Sequence, residues 1–185
     1  MVFRVLNGLI KKTWEHPKAD VYERLAFQQH IDFLQQQGHP IVYVDETGMA
    51  VDTPRRYGYS PKGIRCLGKW NWHEKGRKNA IGAVLDMKIL QIDLYDTTIK
   101  SDIFEDWCVH KLIPKLPPNA VVVMDNAKFH RKTILPDLFT YHGVQLLFQP
   151  TYSPDLNQSE HKWSGMKAFR VKHHLSPEQT ISCYK

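Results

Sequence analysis

The sequence lacks the features that mark several classes of protein. It contains no apolar run close to the roughly 20 residues that a membrane-spanning helix needs, and its first residues lack the apolar core and cleavage site of a signal peptide. The three cysteines, Cys66, Cys108 and Cys183, are widely spaced and include no Cys-x-x-Cys pair. We therefore expect a cytoplasmic protein with no membrane segment, and neither a disulfide framework nor a zinc ribbon is favoured.

Acidic residues are nearly missing from one long stretch. Between Thr53 and Asn79 only Glu74 is acidic, and four tyrosines and tryptophans are interleaved with the cations. Cations for phosphates and rings for unpaired bases are what a nucleic-acid surface uses, and the net charge of +6 also favours a polyanionic partner. The alternative is a solvated hairpin whose rings pack locally. The predicted DNA-binding residues are Arg55, Arg56, Lys62, Arg65, Lys69, Arg77 and Lys78.

Apolar runs separated by turn residues predict five strands and four main helices. The strands are expected at residues 41–45, 80–85, 89–95, 120–125 and 144–148, and the helices near 21–37, 101–112, 132–141 and 157–172. Glu46-Thr47-Gly48 is predicted to turn the chain out of the sheet. This order indicates one α/β domain with a mixed sheet. We divide the chain into a lead-in or linker helix (1–38), the α/β domain (39–175) and a C-terminal tail (176–185).

Three carboxylates are predicted to converge at one place. Asp45 and Asp125 each end an apolar strand, so they lie side by side if those strands pair. Glu160, in the first turns of the last helix, could close the site from one flank. Hard divalent ions such as Mg²⁺ prefer such oxygen ligands and keep open positions for phosphate and water.

Each acid also has a plainer interpretation. An aspartate after a buried strand is often a turn former or a helix cap, and a first-turn glutamate complements the helix dipole. Glu46 is expected to point away from Asp45 into solvent. Asn126 and His130 are candidates for groups that orient the site or contact phosphate.

Three motifs resemble the catalytic core of DDE transposases, and most closely the bacterial insertion-sequence six-thirty group related to the mariner superfamily. They are Val44-Asp45-Glu46-Thr47-Gly48, the stretch from Met124 to His130, and the stretch from Pro150 to Glu160. Asp125 and Glu160 are separated by the 34 residues from 126 to 159, which is the spacing in that group.

The resemblance implies a ribonuclease-H-like fold, with a mixed five-stranded sheet flanked by helices. It implies Asp45, Asp125 and Glu160 as catalytic ligands of two Mg²⁺ ions, for which Mn²⁺ can substitute. The implied reaction is metal-dependent hydrolysis of DNA at the ends of a transposable element, followed by joining of the freed 3′-hydroxyl to target DNA. This sequence departs from the usual Asn-Pro-x-Glu turn, because it has Gln158 in place of the proline.

The resemblance also implies partners. A homodimer is expected in the active complex, and helix-turn-helix modules for the element ends are expected from a separate polypeptide or frame, since none fits before Asp20. The expected location is the nucleoid. Two rival functions are an inactive nucleic-acid-binding remnant of a transposase and a ribonuclease-H-like nuclease with no role in transposition.

Overall fold

The computed structural model describes residues 17–51, 58–67 and 76–184. Its strands are β1 Ile41–Ala50, β2 Arg77–Leu85, β3 Lys88–Tyr95, β4 Val121–Met124 and β5 Gln145–Phe148. Its α-helices are α1 Val21–Gln36, α2 Ser101–Trp107, α3 Leu135–Tyr141, α4 Gln158–His173 and α5 Pro177–Cys183. A π-helical turn and a 3-10 turn extend α2 to Lys115.

The five strands form one mixed sheet in the order β3-β2-β1-β4-β5. The pairs β1–β2 and β2–β3 are antiparallel, whereas β1–β4 and β4–β5 are parallel. In the parallel pair Tyr43 lies opposite Val123, so Asp45 and Asp125 each follow a paired position by two residues. The mixed five-stranded sheet confirms the predicted architecture, and the register brings both aspartates to one edge of the β1–β4 ladder.

The prediction that the chain leaves the sheet at Glu46 is wrong. Strand β1 continues to Ala50 and pairs with β2 over this whole length, because β2 itself begins earlier than expected, at Arg77. The Arg77 side chain crosses β1 at Gly48, where a Cβ would lie 1.8 Å from it. Asp45 is consequently a mid-strand residue, with its neighbour Glu46 on the opposite face of the sheet.

Helices cover both faces of the sheet. One face carries Val42 and Val44 of β1 and packs against α2 and α3 in the largest core cluster. The other face packs against α1 around Tyr43 and against α4 around Met49. Cys108 is fully buried in the same cluster, as a small core hydrophobe. Strand β4 is buried throughout, as its unbroken apolar sequence requires.

Both ends of the described chain are tied to this core. The Asp20 side chain caps α1 by accepting hydrogen bonds from the N–H groups of Tyr22 and Glu23, and α1 buries Ile31 and Leu34 on the sheet. The segment predicted as a C-terminal tail contains helix α5, which begins in a Ser176 capping box and packs on α4 and β3. No described helix combines the length and the apolarity that crossing a membrane requires.

Candidate active site

Asp45 is held from two sides in the middle of β1. Its Oδ1 accepts the backbone N–H of Glu46 at 2.8 Å. Its Oδ2 accepts hydrogen bonds from the Ser159 hydroxyl and from the Trp163 indole N–H, each at 3.1 Å. Burial raises the pKa of Asp45 to about 7, and the negative charges of Glu46 and then Asp125 act in the same direction. An acidic neighbourhood thus surrounds a carboxylate whose donors are all neutral.

Asp125 follows β4 immediately and is held by a cation. Its Oδ1 accepts the backbone N–H of Ala127 at 2.9 Å and lies 3.1 Å from Nδ1 of His130. Burial acts to raise the pKa of Asp125, but the hydrogen bonds from His130 and Ala127 outweigh it and hold that pKa below its ordinary value. Asp125 is therefore ionised at neutral pH, although it lies beside other acids.

His130 bridges Asp125 and Glu46. Its Nε2 lies 3.1 Å from Oε1 of Glu46, and its ring stacks on Phe104 with centroids 4.3 Å apart. Burial acts to lower the pKa of His130, yet the two carboxylates overcome it and raise that pKa to about 9. Because both ring nitrogens face carboxylates, both donate and the ring is an imidazolium.

The expectation that Glu46 points into solvent is wrong. Its side chain is only 16% exposed and is bonded to His130. The physical reason is strand alternation: with β1 continuing past Asp45, position 46 shares the face of Val42 and Val44, where His130 is packed. Glu46, Asp125 and His130 each place one ligand atom within 4.8 Å of the others.

Glu160 approaches from α4. The Asn157 side chain caps this helix by accepting the N–H of Ser159 at 3.0 Å, and the helix begins at Gln158, one residue after the predicted start. Glu160 is exposed in the first turn and lines a cavity of about 430 Å³ that also exposes Asp45. The other residues lining this cavity are Glu46, Thr47, Gly48, Arg77, Trp163, Ser164 and Lys167. Asp45 and Glu160 therefore face one solvent-filled space.

Asn126 connects the ends of two neighbouring strands. Its Nδ2 donates to the carbonyl of Gln149, the residue after β5, while the backbone N–H of Gln149 donates to the carbonyl of Met124 at 2.9 Å. Within the described part of the chain, Oδ1 of Asn126 and Nε2 of Gln149 are buried without a hydrogen-bond partner. The contact anchors the loop that carries Asp125.

The structure describes four of the seven predicted DNA-binding residues. Lys62 and Arg65 are exposed, and Arg77 is exposed at the cavity. Lys78 forms ion pairs at 2.7 Å with both Asp96 and Glu178, which favours a structural role for it. Arg55, Arg56 and Lys69 lie outside the described residues.

The donor set suits a hard divalent cation. Asp45, Asp125 and Glu160 offer carboxylate oxygens, which are the ligands that Mg²⁺ and Mn²⁺ prefer. Burial, and after it the negative charges of Glu46 and Asp125, raise the pKa of Asp45 to about 7, and a cation at the carboxylates would favour the ionised form. The positive charge of His130 compensates the negative charges of Glu46 and Asp125, which it contacts directly.

Sequence reasoning missed three residues of this site: Glu46, Ser159 and Trp163. A longer β1 would have revealed Glu46 through alternation alone. Ser159 and Trp163 are four residues apart, which places them one above the other on the same face of α4. That spacing predicts a shared contact but does not identify Asp45 as the partner.

A comparison with models of known protein families identifies the family of this chain. The family model described as "DDE superfamily endonuclease" matches residues 40–180, well over half of the sequence. The chain therefore belongs to this family. A search of curated protein sequences found no match.

Solved structures with the same fold are mariner transposases named Mos1. The paired-end complex with left transposon end has a TM-score of 0.68 and 16% identity, and the match covers 89% of this chain and 54% of that one. The strand transfer complex has the same score and identity, covering 96% and 57%. The catalytic domain alone gives 0.63 and 12%, covering 95% and 82%. The fold is thus the ribonuclease-H-like one predicted, and the chain spans about half the length of the full transposases it matches.

Proposed function

We propose that this chain is a metal-dependent DNA endonuclease and strand-transferase of a transposable element. Asp45, Asp125 and Glu160 are its catalytic carboxylates and the ligands of two Mg²⁺ ions, for which Mn²⁺ can substitute. The observation that carries the proposal is that Asp45 and Glu160, from β1 and α4 of a DDE-family chain, line one cavity. The charge of Asp125, at the end of β4, acts on Asp45 from the neighbouring strand.

Different residues of the chain have different roles in the proposed reaction. When bound, the divalent ions would activate the attacking water or 3′-hydroxyl and stabilise the leaving oxygen of the phosphodiester. The imidazolium of His130 keeps Asp125 ionised and fixed in orientation. Glu160 remains open to solvent, where the substrate arrives. Arg77 and Lys167 place positive charge on the same cavity, where they can neutralise DNA phosphates.

Relatives supply further support for this reading. Mos1 structures include a paired-end complex with Mg and another with Mn, as well as complexes with transposon ends. The 34 residues between Asp125 and Glu160 favour the insertion-sequence six-thirty group within the mariner superfamily. Exposed Lys62 and Arg65 suit contacts with the DNA backbone. The homodimer, a separate helix-turn-helix polypeptide and location at the nucleoid stay predictions.

Nicking of supercoiled plasmid DNA tests the proposal. We expect nicking with Mg²⁺ or Mn²⁺ that EDTA abolishes. Asp125→Asn should lower the rate by more than about 100-fold, beyond what loss of an outer-shell partner causes. Asp86→Asn is the matched control, because Asp86 is an exposed acid in the β2–β3 turn, and it should retain the wild-type rate.

The outcomes separate the rival functions. Nicking that survives Asp125→Asn would refute the assignment of the site. A preference for RNA–DNA hybrids over element-end DNA would identify a nuclease with no role in transposition. Salt-sensitive DNA binding with no metal-stimulated turnover would identify an inactive remnant.

A further inference from the structure

We infer that Ser159 and Trp163, the second of which packs against Gly82, are positioning residues that lock the helix carrying Glu160 to the Asp45 carboxylate. The inference deepens the proposed function and rests on it for the role of the two acids. It assigns to three residues, none of them a candidate metal ligand, the task of fixing the distance between β1 and α4.

Two donors from one face of α4 meet a single oxygen atom. The Trp163 indole N–H and the Ser159 hydroxyl each lie 3.1 Å from Oδ2 of Asp45. Trp163 is 3% exposed and Ser159 is fully buried, so water competes little for either bond. The helix is therefore docked on the same carboxylate that shares the cavity with Glu160.

Ser159 also belongs to the start of the helix. Its hydroxyl lies 2.7 Å from the Asn157 side-chain oxygen, which accepts the backbone N–H of Ser159 at 3.0 Å. The hydroxyl has one proton, so it is shared between Asn157 and Asp45, while the indole N–H of Trp163 is committed to Asp45. The cap that begins α4 and the contact to Asp45 thus lie within the turn that carries Glu160.

Gly82 provides the seat for the indole ring. It lies opposite Asp45 on β2, and a Cβ at this position would come within 2.4 Å of Cη2 and 2.9 Å of Cζ2 of Trp163. Only glycine leaves this space, so the ring packs close to β2 while its N–H reaches Asp45. The short distance between helix and sheet consequently depends on Gly82 of β2 as well as on residues of α4.

Metal binding without DNA tests this positioning role. Trp163→Phe keeps most of the ring but removes the N–H, and the affinity for Mn²⁺, measured by calorimetry and by the electron paramagnetic resonance of free Mn²⁺, should fall about tenfold. Trp107→Phe is the matched control: the buried Trp107 indole donates to Asp93 at 2.7 Å on the other face of the sheet. It should leave the Mn²⁺ affinity unchanged.

A second pair of variants keeps the test valid if Trp163→Phe does not fold. Ser159→Ala should also weaken Mn²⁺ binding, whereas Ser182→Ala, at an exposed serine of α5, should not. Equal losses in Trp163→Phe and Trp107→Phe, or an unchanged affinity in both Trp163→Phe and Ser159→Ala, would overturn the inference.

Nuclear magnetic resonance of the indole N–H groups keeps the test independent of the proposed function. The Trp163 signal, assigned by its loss in Trp163→Phe, should exchange slowly with solvent and shift in Asp45→Asn, whether or not the protein cuts DNA or binds Mn²⁺. A Trp163 signal that exchanges fast and does not respond to Asp45→Asn would refute the contact itself. Loss of nicking or Mn²⁺ binding in the wild type, with this signal intact, would refute only the proposed function.

Discussion

The stability of the metal-free protein should depend on the protonation of His130. The pKa of this buried side chain is raised from 6.5 to about 9 by Asp125 and Glu46. A histidine with a raised folded-state pKa binds its proton more tightly in the folded protein, so its contribution is complete below pH 6.5 and disappears as the pH rises through 9. The displacement corresponds to a ceiling of about 3 kcal/mol, since one pKa unit is worth about 1.4 kcal/mol.

The perturbation is His130→Gln, which removes the charge but keeps a side chain able to bond to one carboxylate. At pH 6 the variant should be less stable than the wild type by up to about 3 kcal/mol, because the largely buried Glu46 and the half-exposed Asp125 lose their shared cation. Between pH 6.5 and 9 the wild type should lose stability and converge on the variant. Asp45 adds a loss of its own, which ends as the pH rises through about 7, whereas the loss from His130 continues to about 9.

Urea unfolding in EDTA, followed by circular dichroism at pH 6, 7.5 and 9, measures this convergence. His110→Gln is the control, since His110 pairs with Asp106 on the exposed surface, with side chains 66% and 73% exposed. It should run parallel to the wild type at every pH. If His130→Gln also runs parallel to the wild type, the ring is neutral in the folded protein and the reasoning on Asp125 fails.

Three further predictions concern the frame of the site. Gly82→Ala should cost about 1–3 kcal/mol in urea unfolding, because its Cβ overlaps the Trp163 ring; an unchanged midpoint would show that the ring can move aside. Asp155→Asn should cost about 0.5–1 kcal/mol at pH 7, since Arg24 bonds to both carboxylate oxygens at 2.9 and 2.7 Å. Arg24 holds the pKa of Asp155 below its usual range, so thermal melts of variant and wild type should converge as the pH falls below that range. Lys78→Met should lower the melting temperature without reducing the affinity for DNA in a gel-shift assay. A reduced affinity would show that Lys78 belongs to the DNA-binding surface.

The sequence was sufficient for the order of the elements as far as α4, because the apolar runs are short and cleanly separated, but it did not predict α5. The buried β4 and the capped start of α4 are where their patterns place them. The end of β1 was not predictable in the same way. Polar residues at 45–47 look like a turn, and only the pairing of β2 with all of β1 keeps them in the sheet. Long-range pairing overrides local preference at this point.

The error at the end of β1 explains the error about Glu46. A residue after a strand has no fixed face, whereas a residue within a strand must alternate. Once β1 is extended, Glu46 has to lie on the face of Val44, where the ring of His130 stacks on Phe104. The sequence places His130 five residues after Asp125, but it carries no signal that the ring reaches back to β1.

An indole–carboxylate hydrogen bond is not in itself a sign of function, because the described part of the chain contains two of them. Trp107 donates to Asp93 on one face of the sheet, and Trp163 donates to Asp45 on the other. Gln91 also donates to Asp93, which makes that carboxylate an acceptor in a structural network. Asp45 differs in its other neighbours, since it shares a cavity with Glu160 and feels the charges of two further acids. The convergence of acids, rather than the tryptophan bond, therefore distinguishes the candidate active site from an ordinary buried aspartate.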